Sequence, residues 1–480
     1  MTRQLSIAEF AVYTSINALI LVIGSLSSFG VNPVLLRYLP ELRAAHNNRA
    51  MYRLLAWGLA LRAALYAMAA LILLVFSEPL GALLKLGEWL WLLPAYALVG
   101  FLRVNATFAV EVLESLLWQR EAQYSVAVAT LLKLAAVLIL VAYGDFSLEY
   151  FILIEGSAEL LTLLLLLGSA FVRWLYDRER TAGDASVLTR DANRYLNYGL
   201  WTYAQHLSSI FHGSAPNRLF ISYFLPVASI ALFGVIDRFI TFVRHYEPLK
   251  IFIGMVRPIF NSRFTRPGDF PNLVSLANLL FRVNLVVLIV PLILFAVAGG
   301  PLFDWITAGN YAEAAPIFLA FYAVVVIASA NTLLDILVKL VERTKIYTLS
   351  NLALSASIFL AIPLMPLMGL WALALANGLG FVLSFTIIMI YMKRVGYEVK
   401  FDWALIVRAV AFALAAIAVG HLLLQFGVSV VLSVAAAYAG FLLALCCWPP
   451  LRREERALVE RVLLPGRRSQ LSKVSSGSDY

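Results

Sequence analysis

The residues best able to do chemistry in this 480-residue chain are ionisable side chains set inside long apolar runs. Arg103, Thr107, Glu111 and Glu114 follow at i, i+4, i+8 and i+11, which is one stripe of a helix. Glu155 and Glu159 are four apart, as are Asn278 and Arg282, and Asn331 and Asp335. Asp237, Thr241 and Arg244 share a face, with Arg238 next to Asp237, while Arg62, Lys133 and His206 each stand in runs of their own. A charge at the centre of a bilayer costs about 3 kcal/mol on insertion scales, so each of these groups needs a partner or a water-filled cleft. Arginine in such a cleft suits an anion, because its planar fork matches phosphate oxygens. Arg103 and Arg282 come first as cleft residues, then Arg62 and Arg238. Lys133, Glu155, Glu159, Asp237, Asp335 and His206 are candidates for ion pairing or for coupling to an ion.

Plainer roles compete with these. Arg62 and Arg244 lie within reach of a run's end and can snorkel to headgroups. Lys133 can bridge to Glu155 or Glu159 as a structural pair, Asp237 and Arg238 can pair locally, and His206 can simply pack. The chain shows no glycine-rich nucleotide loop, no clustered metal ligands and no nucleophile elbow. No catalytic residue, metal or cofactor is therefore expected, and the chain does not read as an enzyme.

The elements that must position these groups are membrane-spanning helices. The chain is 62% hydrophobic and 14% charged, with a mean hydropathy of +0.86. A single soluble core cannot hide that much apolar surface, whereas helices of roughly 20 residues in a bilayer can. The runs predict spans at 11–36, 53–77, 89–112, 124–143, 147–172, 196–216, 223–247, 272–298, 312–338, 346–363, 367–392, 403–423 and 427–448. The net charge of +9 does not point to nucleic acid, because the basic residues sit in short clusters between runs. Alternate loops carry nearly all of them: Arg37, Arg43, Arg49 and Arg53; Arg120; Arg173, Arg178, Arg180, Arg190 and Arg194; Lys250, Arg257, Arg263 and Arg266; Lys339, Arg343 and Lys345; Lys393, Arg394 and Lys400; and the tail. The other loops carry little beyond Lys85 and Arg218. This one-sidedness predicts that the first set and the C-terminus are cytoplasmic. Cys446 and Cys447 are adjacent, a spacing that strains a disulfide, and they read as apolar filler. The tail 449–480 is basic, then rich in serine and glycine, and reads as partly disordered.

The chain also repeats itself. Pro79 matches Pro301, and Glu155-Gly156 matches Asn377-Gly378, both 222 residues apart within similar apolar surroundings. Six spans fit in that offset, so the copies share one orientation. The first copy has five helices, because the counterpart of span 196–216 would fall before Met1. The expected organisation is a first lobe at 1–172 lacking its first helix, a second lobe of six helices at 196–392, and an accessory pair at 403–448.

FGVNPVLLRYLPELRAA (29–45), PNRLFISYFLPVASIALFGVIDRF (216–239) and PLMGLWALALANGLGFVLSFTIIMIYMKR (366–394) resemble polysaccharide flippases of the Wzx type. These belong to the multidrug/oligosaccharidyl-lipid/polysaccharide exporter superfamily. The resemblance runs along essentially the whole chain and implies an all-α polytopic fold: two pseudo-symmetric helical lobes around a central cavity, plus two C-terminal accessory helices. It implies movement of a polyprenyl-pyrophosphate-linked oligosaccharide across the bacterial inner membrane for surface polysaccharides such as O-antigen and lipopolysaccharide. The cleft arginines would then face the lipid pyrophosphate. Implied partners are membrane lipids and glycan polymerase or assembly proteins, with no nucleic acid. Asn217 departs from the pattern, since relatives often carry an acidic residue there. A second expectation is another exporter of the same superfamily, a peptidoglycan-precursor flippase or a small-molecule antiporter. A membrane-embedded glycan polymerase or ligase fits less well, because the outer loops near 78–88 and 299–311 are short.

Overall fold

The computed structural model describes residues 3–144, 146–177, 183–249, 270–311, 313–341 and 344–447. Arg178, Arg180, Lys250, Arg257, Arg263, Arg266, Arg343 and the tail 449–480, all used above to predict topology, lie outside them. The described chain is all helix: α1 (Ile7–Leu26), α2 (Val31–Ala44), α3 (Asn48–Val75), α4 (Ser77–Leu83), α5 (Leu92–Ser115), α6 (Gln119–Tyr143), α7 (Leu148–Asp177), α8 (Val187–Arg190), α9 (Ala192–Ser209), α10 (Ser214–Phe224), α11 (Val227–His245), α12 (Phe270–Thr307), α13 (Ala314–Leu340), α14 (Thr344–Ala356), α15 (Ile358–Met368), α16 (Leu370–Arg394), α17 (Trp403–Gln425) and α18 (Val430–Cys447). Among the described residues, eleven helical stretches are long and apolar enough to cross a membrane. Many of their outward side chains are large and apolar, including Leu131, Leu138, Leu164 and Leu414. That is the surface a bilayer requires.

Local chemistry sets the ends. Ser6 and Glu9 form a reciprocal capping box at the start of α1: the Ser6 N–H donates to Glu9 Oε2 at 2.8 Å and the Glu9 N–H to Ser6 Oγ at 3.2 Å. Asn47 caps α3 and Asp402 caps α17. The predicted span 11–36 is two helices. The chain breaks between Leu26 and Val31, where Gly30 takes φ 77°. A Cβ on Gly30 would stand 2.1 Å from the carbonyl oxygen of Gly199, so only glycine allows α9 to cross here. Span 346–363 is likewise divided, into α14 and α15 at Ser357, with Pro363 and Pro366 inside α15. Span 196–216 is α9 followed by a single 3₁₀ turn at Ile210–His212 and then α10. The regions read as outer loops are largely helical, because α4 occupies part of the first and α12 runs through Thr307 into the second.

The repeat shows in the helix starts. Asn48, Leu92 and Leu148 open α3, α5 and α7, while Phe270, Ala314 and Leu370 open α12, α13 and α16. Each pair is 222 residues apart.

The chain forms two compact units. One comprises 1–238, 306–314 and 351–380, and the other 239–305, 315–350 and 381–480. In the first, α5 and α7 pack closely, α3 lies on α2 and α5, and α10 runs along α1. Leu35, Leu39, Met51, Phe108, Val112 and Leu166 build its apolar core. In the second, Phe281, Leu285, Leu334, Ile388, Ala413 and Phe441 join α12, α13, α16, α17 and α18. Lipid is as apolar as leucine, so in a membrane such packing is held by close contact and polar ties rather than by a hydrophobic drive.

Candidate functional site

The first unit carries a buried charge cluster built from four helices. Arg103 on α5 lies 2.9 Å from Glu155 Oε1 and 3.1 Å from Glu159 Oε1, both on α7. The four-residue spacing of the two carboxylates puts them on one face toward α5. Lys133 Nζ on α6 reaches Glu155 Oε1 at 2.8 Å. From α1, Asn17 Oδ1 accepts from Arg103 at 2.9 Å, and the Tyr13 hydroxyl points at Glu155 Oε1 from 3.5 Å. Glu155 is buried at 4% exposure, while Lys133 and Glu159 are partly accessible. Two cations and two carboxylates leave the cluster formally neutral, which is what a low-dielectric setting demands. Arg238 stands beside the cluster, stacked 5.4 Å from the Phe10 ring centroid and 5.1 Å from that of Tyr13, where the ring faces attract a guanidinium. The unit thus brings together Arg103, Lys133, Glu155 and Glu159, with Arg238 against Tyr13.

The other candidates stand elsewhere. Arg62 does not snorkel: it is 3% exposed and donates to Gly24 O at 2.5 Å and Ser27 Oγ at 3.0 Å. It caps the carbonyl end of α1, where the helix dipole favours a cation, and so supports the break before α2. Asp237 pairs with Arg218 rather than with its neighbour Arg238. Arg218 is therefore a partly buried helical residue of α10 and not a loop charge. His206 bonds Ser25 Oγ at 2.5 Å. On the stripe of α5, Glu111 accepts from Asn32 at 3.2 Å and Glu114 from Gln123 at 2.7 Å.

In the second unit, Arg282 lies 2.8 Å from Asp402, the N-cap of α17, and Asn278 donates to Lys400 O at 2.6 Å. Both side chains of that α12 pair fasten the start of the first accessory helix. Asn331, one turn before Asp335, donates to Phe381 O at 2.9 Å. Sequence reasoning missed Glu247 and Asn284, both buried. The Asn284 amide donates to Glu247 Oε1 at 3.1 Å, and its carbonyl oxygen accepts from the Leu249 N–H at 3.0 Å. The signal was available, since a carboxylate and an amide stood near apolar runs at 247 and 284. The two stand 37 positions apart, so the pair is visible only in space.

Chemically, the cluster of the first unit can exchange partners. Arg103 holds two carboxylates and Glu155 holds two cations. Protonation of one carboxylate, or arrival of an anion, would release a cation to pair elsewhere. Among the described residues, no group of three or more His, Cys, Asp or Glu side chains is placed to hold a metal ion.

No family model and no curated protein matches the sequence. Solved structures do match. One is the lipid II flippase MurJ in an inward closed conformation, 12% identical with a TM-score of 0.63 over 95% of this chain and 98% of that one. Another is an inward-facing multidrug resistance MATE family transporter of the MOP superfamily, 11% identical with a TM-score of 0.58 over 82% and 95%. The fold is thus the all-α polytopic architecture of these transporters, as the sequence resemblance implied.

Proposed function

We propose that the chain is a flippase, not an enzyme, which moves a lipid-linked glycan precursor from one leaflet of a bacterial inner membrane to the other. The observation that carries this reading is the fold match to MurJ over nearly the full length of both chains. The MATE transporter shares the architecture over less of this chain and supports the broader class of MOP-superfamily exporters. Within that class, a peptidoglycan precursor is the first reading, because the longer match is to a lipid II flippase. A surface-polysaccharide unit is the second, carried by the sequence resemblance at 29–45, 216–239 and 366–394.

In this reading Arg103 and Arg238 attract the lipid pyrophosphate, and Glu155, Glu159 and Lys133 set the price of releasing Arg103. An anion that engages Arg103 must displace carboxylates already in place. That makes transport responsive to whatever protonates or neutralises Glu155 and Glu159. Arg282, paired with Asp402, we assign to holding α17. The basic loops and the C-terminus are cytoplasmic in this reading.

Complementation in two strains tests the proposal. One strain is depleted of its own lipid II flippase, and the other lacks its O-unit flippase. Growth rescue in the first supports the peptidoglycan reading, and surface glycan in the second supports the polysaccharide reading. Rescue of neither, with normal protein abundance in the membrane, sinks the flippase proposal.

A further inference from the structure

A cavity of about 1290 Å³ opens in the first unit where α3 begins and α7 ends, and none of the cluster residues lines it. Its polar wall is Arg49, Arg53, Ser186 and Thr189; its apolar wall includes Leu55, Leu59, Leu167 and Phe171. Connectivity puts the start of α3, the start of α6 and the end of α7 at one face of the membrane. Arg43, Arg120, Arg173, Arg190 and Arg194 gather at that same end. The cavity therefore lies at headgroup level, with its apolar wall descending along α3 and α7 into the bilayer.

Its frame is built. The Asn47 side chain accepts from the Ala50 N–H at 3.1 Å and donates to Asp184 O at 3.0 Å, fastening the segment before α8 to the start of α3. The Tyr52 hydroxyl donates to Asp177 Oδ2 at 2.6 Å, tying α3 to the last residue of α7. The acid on the rim is already engaged: Asp184 accepts from the Ser186 N–H at 2.8 Å and from the Ser186 hydroxyl. Those bonds hold its carboxyl below the usual range and keep it charged. Arg49 and Arg53, one turn apart, are exposed and make no ion pair with a described residue, unlike Arg173, which pairs with Glu121.

We propose that this cavity seats an anionic phospholipid of the surrounding leaflet, with its phosphate between Arg49 and Arg53 and one acyl chain in the slot between α3 and α7. The two arginines outnumber Asp184 and match a phosphodiester in charge and geometry. A soluble phosphate would leave the apolar wall unfilled, and a zwitterionic lipid would set its cation against the guanidiniums. The seat is independent of the transport reading, because it uses none of the cluster residues.

Native mass spectrometry of the full chain in mild detergent tests it, titrating phosphatidylglycerol against phosphatidylcholine of the same chains. The wild type should retain phosphatidylglycerol preferentially. R49Q/R53Q should weaken that retention roughly 25-fold, at about one kcal/mol for each arginine near a membrane surface, and leave phosphatidylcholine unchanged. Both arginines are exposed, so the variant should fold. Ala56→Trp, which fills the slot and leaves the arginines intact, should also lose phosphatidylglycerol. Equal retention by R49Q/R53Q and wild type overturns the seat. Full retention by Ala56→Trp, or displacement of the lipid by glycerol phosphate at equal concentration, overturns it too, since the arginines would then only be collecting anions.

Discussion

Helices α3, α5, α6 and α7 differ from α12, α13, α14–α15 and α16 in what stands at positions 222 residues apart. Arg103, Lys133, Glu155 and Glu159 face Val325, Ser355, Asn377 and Phe381 as counterparts. Val325 and Phe381 carry no polar group at all. Ser355 donates to Ser208 O at 2.6 Å, and Asn377 donates to Leu373 O, one turn back in its own helix, at 3.0 Å. Arg62, which caps the end of α1, corresponds to Asn284, which satisfies Glu247 and Leu249 instead. At these positions, behind the same helix starts, one copy carries a charged cluster and the other carries uncharged side chains. The repeat accounts for the scaffold. The cluster of Arg103, Lys133, Glu155 and Glu159 is an addition to one copy, and a feature that the scaffold does not require is the better place to look for function.

Substitutions can break this contrast, and the largest effect should come from Glu155. Glu155→Gln leaves Arg103 with Glu159 alone and Lys133 without its carboxylate, and breaking a buried pair costs about 3–5 kcal/mol. The expected result is a large fall in the thermal unfolding midpoint in detergent, with loss of complementation. A midpoint equal to wild type would mean that the cluster is solvated and not structural. Arg103→Lys should come next. It keeps the charge but cannot reach Glu155, Glu159 and Asn17 with one planar fork, so it should fold with about 1–3 kcal/mol lost and complement only partly. Full activity in Arg103→Lys would show that charge alone matters there.

Lys133→Met should cost about 1 kcal/mol, because Glu155 keeps Arg103 and the apolar stem is preserved. A double-mutant cycle with Glu155→Gln should show strong coupling. Additive effects would separate Lys133 from the cluster. The smallest change belongs to the second copy: Ser355→Ala removes one hydroxyl bond to a carbonyl and should cost about 0.6 kcal/mol, near the detection limit of a melting curve. If Ser355→Ala proved as damaging as Glu155→Gln, the asymmetry between the copies would lose its meaning.

Much of the scaffold could be read along the chain. Apolar runs of bilayer length announce helices whatever surrounds them, because an isolated helix already satisfies its own backbone. The 222-residue offset, drawn from Pro79 and Pro301, reappears in the starts of α3, α5 and α7. The pairing of Lys133 with one of two carboxylates was legible too, since Glu155 and Glu159 at i and i+4 can face only one way. Breaks were harder. Gly30 and Pro33 stand in 11–36 as possible break points, but the need for a break at Gly30 appears only where it meets Gly199, a contact between residues 169 positions apart.

What the sequence determined by itself is the class of molecule, because composition and run length obey the solvent the chain must live in. What only the tertiary structure decided is which charge answers which. Arg62 turns inward to α1 instead of outward to headgroups, Arg218 takes Asp237 from its neighbour Arg238, and Arg282 finds Asp402 at the mouth of α17. The physical reason is that a buried charge is priced by its three-dimensional neighbours within a few ångströms, and in a helical bundle those neighbours come from other helices.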